Sequence, residues 1–131
     1  MRGSILVDTS AWIDALRSDG DQEVRAAVRS ATAEGEAVLC DIVRLELWNG
    51  AQGAAEQKML RALERDLDLA PSPPAVWDAA VTLAKSCRSK GITVPATDLL
   101  VAACAAHHGL SLLHHDDHFD RIDRALGHGD A

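Results

Sequence analysis

Two hydrophobic periods alternate along this chain. Short apolar runs of strand length are separated by longer stretches in which apolar residues recur every three or four positions. The first short run, Ser4 to Val7, ends at Asp8, and Thr9-Ser10 then opens an amphipathic stretch through Trp12, Ile13 and Leu16 that Ser18-Asp19-Gly20 closes. A second helix is predicted from about Asp21 to Thr32, followed by a strand over Ala37 to Cys40. A third helix, capped by Asp41, is broken by Gly50 and Gly53, and a fourth covers Ala54 to Arg65. Leu67 to Ala70 reads as a short strand ahead of the Pro71, Pro73, Pro74 cluster. Pro74 stands at a helix-starting position, and the helical period then holds from Ala75 to Lys90 and stops at Gly91. Thr97 is expected to cap a helix from Asp98 to His108, with Gly109 at its end. A strand over Leu110 to Leu113 and a short helix near Phe119 to Leu126 complete the series. Strands separated by helices predict an α/β fold in which a parallel sheet is covered on both faces, an α/β/α sandwich.

Composition narrows the class. The 131 residues, 47% of them hydrophobic, suit one domain spanning 1–131 with a core of its own. A charged fraction of 25%, with no long Pro, Gly or Ser tract, argues against disorder and against an internal linker. Cys40, Cys87 and Cys104 are odd in number, lie in apolar surroundings and form no CxxC pair, so they read as small buried hydrophobes in a reducing compartment. Asp8 interrupts the N-terminal apolar run before it reaches signal-peptide length, and no apolar stretch is long enough to span a bilayer. A cytoplasmic protein without a membrane role is the expectation. Trp12, Trp48 and Trp77 all fall on amphipathic stretches and are expected to pack in the core, with Trp48, close to Glu46, the best placed to face a partner.

Chemistry enters through the acids. Asp8 stands at the carboxyl end of the first strand and Asp116 just beyond the last, where open α/β sheets form their ligand crevice. Asp98 occupies the first turn of a helix, where the helix dipole favours an ionised carboxylate. Glu46 lies between Leu45 and Leu47 in the third helix, so its burial depends on helix phase. Each acid alone has a structural explanation as a cap, a helix-start residue or a solvated surface group. Their combination at one sheet edge is what suggests a site. The histidines, His107-His108 and the His114-His115-Asp116-Asp117-His118 run, invite a zinc or an HD-type phosphohydrolase reading but lack the defined ligand spacing for either; the first pair is suited to a helix C-terminus. Lys85, Arg88 and Lys90 form a basic cluster explained by a solvated helix end or by a guide for RNA. A formal charge of −7 opposes binding to phosphates unless a metal ion supplies the missing positive charge.

Leu6 to Ile13, Glu46-Leu47-Trp48-Asn49-Gly50, Asp98 to Ala105 and Leu112 to Phe119 follow one another along the chain, and together these four segments resemble the PIN-domain ribonucleases, in particular VapC-like toxins of type II toxin–antitoxin systems. Leu6-Val7-Asp8-Thr9-Ser10-Ala11-Trp12-Ile13 looks like the opening of these toxins, and Glu46-Leu47-Trp48-Asn49-Gly50 resembles their E-x-x-x-G. Asp98-Leu99-Leu100-Val101-Ala102-Ala103-Cys104-Ala105 is similar to their D-x-x-[IL]-A-A-x-A helix, and Leu112 to Phe119 to their h-h-T-x-D-x-x-F. Order and spacing match from Ile5 to about Phe119. The resemblance implies that Asp8, Glu46, Asp98 and Asp116 bind Mg2+ or Mn2+, with the Ser10 hydroxyl in support. It further implies RNA cleavage by a metal-activated water that leaves a 5′-phosphate and a 3′-hydroxyl. The implied partners are a VapB-like antitoxin in a hetero-oligomer and a second copy in a homodimer. An antitoxin tail is expected in a groove beside the first and third helices, lined by Trp12, Leu47 and Trp48. His114 stands where the family commonly has Thr or Ser, and Asp117 beside Asp116 leaves the fourth acid open between the two, with the spacing to Phe119 favouring Asp116. The alternative is a PIN-fold regulatory protein that acts with a DNA-binding partner and has little nuclease activity.

Overall fold

Strand β1 (Ile5–Val7) runs into helix α1 (Thr9–Leu16), and α2 (Gln22–Ala33) returns the chain to β2 (Ala37–Cys40) in the computed structural model, which describes residues 1–127. Helices α3 (Asp41–Gly50) and α4 (Gly53–Asp66) lead to β3 (Asp68–Ala70), and α5 (Pro74–Ser89) and α6 (Ala96–His108) lead to β4 (Ser111–Leu113) and α7 (Asp117–Ala125). The four strands form one sheet in the order β3-β2-β1-β4, and every neighbouring pair is parallel. The predicted α/β/α sandwich with a central parallel sheet is therefore the observed architecture.

Strand composition follows position in the sheet. β2 is central and all of Ala37–Cys40 is buried, as a strand covered on both faces requires, whereas the edge strand β3 exposes Asp68 and Leu69. Helix α1 packs on α2 and α3, α4 packs on α3, and α5 packs on α6 and α7, with an α3–α6 contact joining the two groups. Strand order runs outward from β1 through β2 to β3 and then jumps to β4 on the other side of β1. That reversal makes the carboxyl ends of β1 and β4 a topological switch point, where neighbouring loops part and leave a crevice. Asp8 follows β1 there, and Asp116 lies three residues beyond the end of β4.

Several boundaries differ from expectation for local reasons. Thr97 does not cap α6: Pro95, with φ −59°, holds the N-cap position and Thr97 lies inside the first turn, because a Pro at the edge of a helix sacrifices no intrahelical donor. Asp41 is likewise the first helical residue of α3 and not its cap, since the ladder of β2 keeps Cys40 extended right up to the helix. Trp77, expected in the core, is 55% exposed on α5 beside exposed Val81, while Val76, Leu83 and Cys87 supply the buried face of that helix. Trp12 is buried as expected, and the three cysteines are buried and free. Among the described residues no helix is long and apolar enough to cross a membrane.

Helix α6 ends on Gly109 in the left-handed region, at φ 65° and ψ 31°, which lets the Leu110 N–H reach the Ala105 carbonyl at 2.8 Å and turn the chain into β4. No heavy atom lies within 4 Å of where a Cβ would stand on Gly109, so backbone strain alone opposes a side chain there. Gly109→Ala is expected to lower stability by about 1 kcal/mol with an unchanged denaturant slope, read by urea unfolding.

Candidate metal centre

Asp8 is the floor of the site. It caps α1, and its Oδ2 accepts from the Ser10 backbone N–H at 3.0 Å and from the Ser10 hydroxyl at 2.7 Å. The same hydroxyl oxygen accepts the His115 backbone N–H at 2.9 Å, and the Asp8 N–H donates to the Leu113 carbonyl at 2.9 Å. Ser10 thus ties the start of α1 to the loop after β4. The other oxygen of Asp8, Oδ1, has no hydrogen-bond partner among the described residues, although Asp8 is only 3% exposed. An ionised oxygen left unpaired in a buried position is strongly unfavourable, and a cation is the partner that its chemistry calls for.

The other acids converge on it from separate elements. Glu46 is half-buried on α3 between exposed Leu45 and buried Leu47, and its Oε1 accepts from the Thr9 hydroxyl at 2.9 Å. Asp98 is buried in the first turn of α6, and its Oδ2 lies 2.8 Å from His118 Nδ1. Asp116 caps α7, with its Oδ1 accepting the His118 backbone N–H at 3.0 Å and lying 2.9 Å from His118 Nδ1. Burial holds Glu46 above the usual carboxylate range, an effect the Thr9 hydroxyl opposes and the charges of Asp8 and Asp98 reinforce. Asp98 is raised in the same way by burial, opposed by His118 and reinforced by the charges of Asp8 and Asp116. Mutual repulsion around a buried, half-satisfied Asp8 leaves an oxygen-rich cluster with an excess of negative charge. Hard divalent cations match that donor set.

Comparison with known proteins adds kinship to this geometry. The PIN domain family matches residues 5–125. The chain belongs to the PIN-domain family. Within it the chain is similar to ribonuclease VapC11 of Mycobacterium tuberculosis, at 31% identity over 123 residues that cover 92% of each protein. Its fold is shared with FitAcB from Neisseria gonorrhoeae, at a TM-score of 0.69 and 23% identity over 91% of this chain and 93% of that one. It is also shared with VapBC2 from Rickettsia felis, a structure bound to a DNA fragment from their promoter, at a TM-score of 0.72 and 15% identity over 90% of this chain and 92% of that one.

In this PIN domain Asp8, Glu46 and Asp98 stand within electrostatic reach of one another, and Asp116 joins them beside Asp98. Asp117 points elsewhere and pairs with Arg121 at 3.2 Å along the outer face of α7. His114 is not in the cluster: its ring packs 4.9 Å from Phe119, and its Nδ1 takes the Asp116 N–H at 3.3 Å. His108 donates from Nε2 to the Pro71 carbonyl at 2.7 Å, and Lys90 donates to the Ala125 carbonyl, so both serve as ties between segments. The expected groove needs revision. Of the expected linings Leu47 alone faces the cleft between α1, α3 and α4: Trp12 is sealed in the core, and the charged Arg17, Glu46 and Glu56 line that cleft with Ile13 and Leu60, around a volume near 60 Å³. Trp48 lies outside the cleft, with its indole N–H on Glu64, which also binds Arg44 at 2.8 Å.

Two contacts escaped sequence reasoning. Thr9, adjacent to Asp8, holds Glu46, and His118, two residues past Asp116, touches two of the four acids. The helical phase of α7 was the one available signal for His118. A raised carboxylate pKa means that the folded chain binds protons more tightly than the unfolded one, so the penalty is absent at acid pH and grows as pH rises through the folded value. Glu46→Gln and Asp98→Asn are therefore expected to raise the melting temperature of the metal-free protein at neutral pH. The gain should vanish as pH falls below the ordinary carboxylate range, read by thermal melts at a series of pH values with chelator present.

Proposed function

We propose that this chain is a divalent-metal-dependent endoribonuclease, the toxin of a VapBC-like pair, working as a single PIN domain across residues 1–131. The buried, unpartnered Oδ1 of Asp8 amid Glu46, Asp98 and Asp116 carries this reading, and the name of its relatives, ribonuclease VapC, supports RNA as substrate. Asp8, Glu46, Asp98 and Asp116 would hold Mg2+ or Mn2+. When bound, such an ion supplies Lewis-acid chemistry, acidifying water and offsetting charge on the phosphodiester.

The chain's own residues do the rest. Ser10 fixes Asp8 Oδ2 and leaves the buried Oδ1 uncommitted, and Thr9 fixes Glu46 Oε1. Glu46, held at Oε1 by Thr9 and close to Asp8 and Asp98, is suited to orient the attacking water and to accept its proton. Hydrolysis that leaves a 5′-phosphate and a 3′-hydroxyl follows if water attacks phosphorus and the 3′ oxygen departs. A net charge of −7 would repel the RNA backbone in the absence of the ion, so substrate binding and chemistry both depend on it. The same acidic crevice attracts a basic residue on an antitoxin tail laid in the α1–α3–α4 cleft, which would block phosphate access; a homodimer in the cytoplasm completes the assembly.

Asp8→Asn, Glu46→Gln and Asp98→Asn are each expected to lower Mn2+-dependent cleavage of total RNA by about a hundredfold or more with the fold retained by circular dichroism, and Asp116→Asn to impair it more than Asp117→Asn. Wild-type activity in all of the first three variants would place the chemistry elsewhere. A soluble wild-type protein that cleaves no RNA with either ion would favour the regulatory reading, in which the chain acts mainly as part of a DNA-bound complex.

Expression of the chain alone in a bacterial host is expected to arrest growth, and co-expression of the neighbouring upstream reading frame to restore it. Unimpaired growth with soluble, nuclease-competent protein would remove the toxin role and leave the nuclease.

A further inference from the structure

His118 stands out among the described residues because one ring nitrogen serves two acids. Its Nδ1 lies 2.8 Å from Asp98 Oδ2 and 2.9 Å from Asp116 Oδ1, and the ligand-capable atoms of the three residues all lie within 4.8 Å of one another. We infer that His118 is itself a ligand, completing with Asp98 and Asp116 a mixed nitrogen and oxygen site that favours a first-row transition ion such as Mn2+ over Mg2+. This rests on the divalent-metal reading above.

The spacing supports it. Adjacent ligands on a six-coordinate ion with bonds of about 2.1 Å stand about 3.0 Å apart, which is close to the separation of Nδ1 from each carboxylate oxygen. A small opening of the three groups would admit an ion without changing which atoms face inward.

The ring is also held in place. His118 is in the first turn of α7, its backbone N–H is bound by the cap Asp116, and the next residue, Phe119, anchors the helix in the core. An independent sign of a cation site is the buried Oδ1 of Asp8, which no described residue partners and whose charge is felt by Asp98. The chemistry then sets the preference. Mg2+ takes oxygen donors and keeps its waters, whereas an imidazole nitrogen adds affinity for transition ions. A carboxylate-only site would lack that bias.

Pulsed EPR of the full chain loaded with Mn2+ reads the inner sphere directly. The wild type is expected to show coupling to a directly bound 14N nucleus, retained in His115→Gln and lost in His118→Gln. Titration calorimetry of His118→Gln should show Mn2+ affinity reduced by about tenfold or more with Mg2+ affinity changed far less, so that the Mn2+ to Mg2+ preference falls. Mn2+ that binds the wild type without a coordinated nitrogen would overturn the inference and leave the metal reading intact. An equal loss of both affinities in His118→Gln would overturn it too, by reducing His118 to a hydrogen-bonding strut. Absence of saturable Mn2+ binding to the wild type would overturn both readings.

Discussion

An unpaired, buried carboxylate oxygen is the constraint on which the arrangement of this site turns. Asp8 follows directly from β1, is nearly excluded from water, and has one oxygen held by Ser10 and the other held by none of the described residues. Burying charge in this way is unfavourable unless something answers it. The chain answers only in part: the partners around Asp8 are Ser10 and the start of α1, while Glu46 and Asp98, which feel its charge, add more negative charge. Stability has been set aside locally for a site that a cation would complete.

The fold explains why these residues meet. Four acids separated by up to 108 positions come together because β1 and β4 are parallel neighbours, α3 follows the strand on the other side of β1, and α6 packs against α3. Ser10 is the stitch between them, since its hydroxyl binds Asp8 and the backbone of His115 at once. The loop that presents Asp116 is fastened a second time where His115 Nδ1 lies 2.5 Å from Asp14 Oδ2. The Asp14 carboxylate beside it raises the affinity of the His115 ring for protons, and the pair joins α1 to the β4–α7 loop from its solvent side.

Much of this was legible in the residues. The alternation of periods yields the parallel sandwich, because buried strands such as Ala37–Cys40 must be apolar throughout and the helices between them must be amphipathic. Asp8 and Asp116 could be placed at strand ends from position alone. What sequence cannot convey is side-chain direction at helix starts. Pro95 in place of Thr97 as the cap moves Asp98 to the third helical position, and Trp77 turns outward because Val76 and Leu83 already fill the buried face of α5. His118 was hidden among neighbouring histidines, of which His114 packs on Phe119 and His115 on Asp14, so that only the fold separates the three.

The convergence of carboxylates on Asp8 fits one divalent cation. Thermal melting at neutral pH under a titration of Mn2+ or Mg2+, with ionic strength matched by a monovalent salt, reads that fit, since a ligand that binds only the folded state raises its stability with concentration. A saturable rise in melting temperature is expected for the wild type and is expected to be absent in Asp8→Asn. A melting temperature that follows ionic strength alone, the same in both proteins, would show that the acids hold no ion.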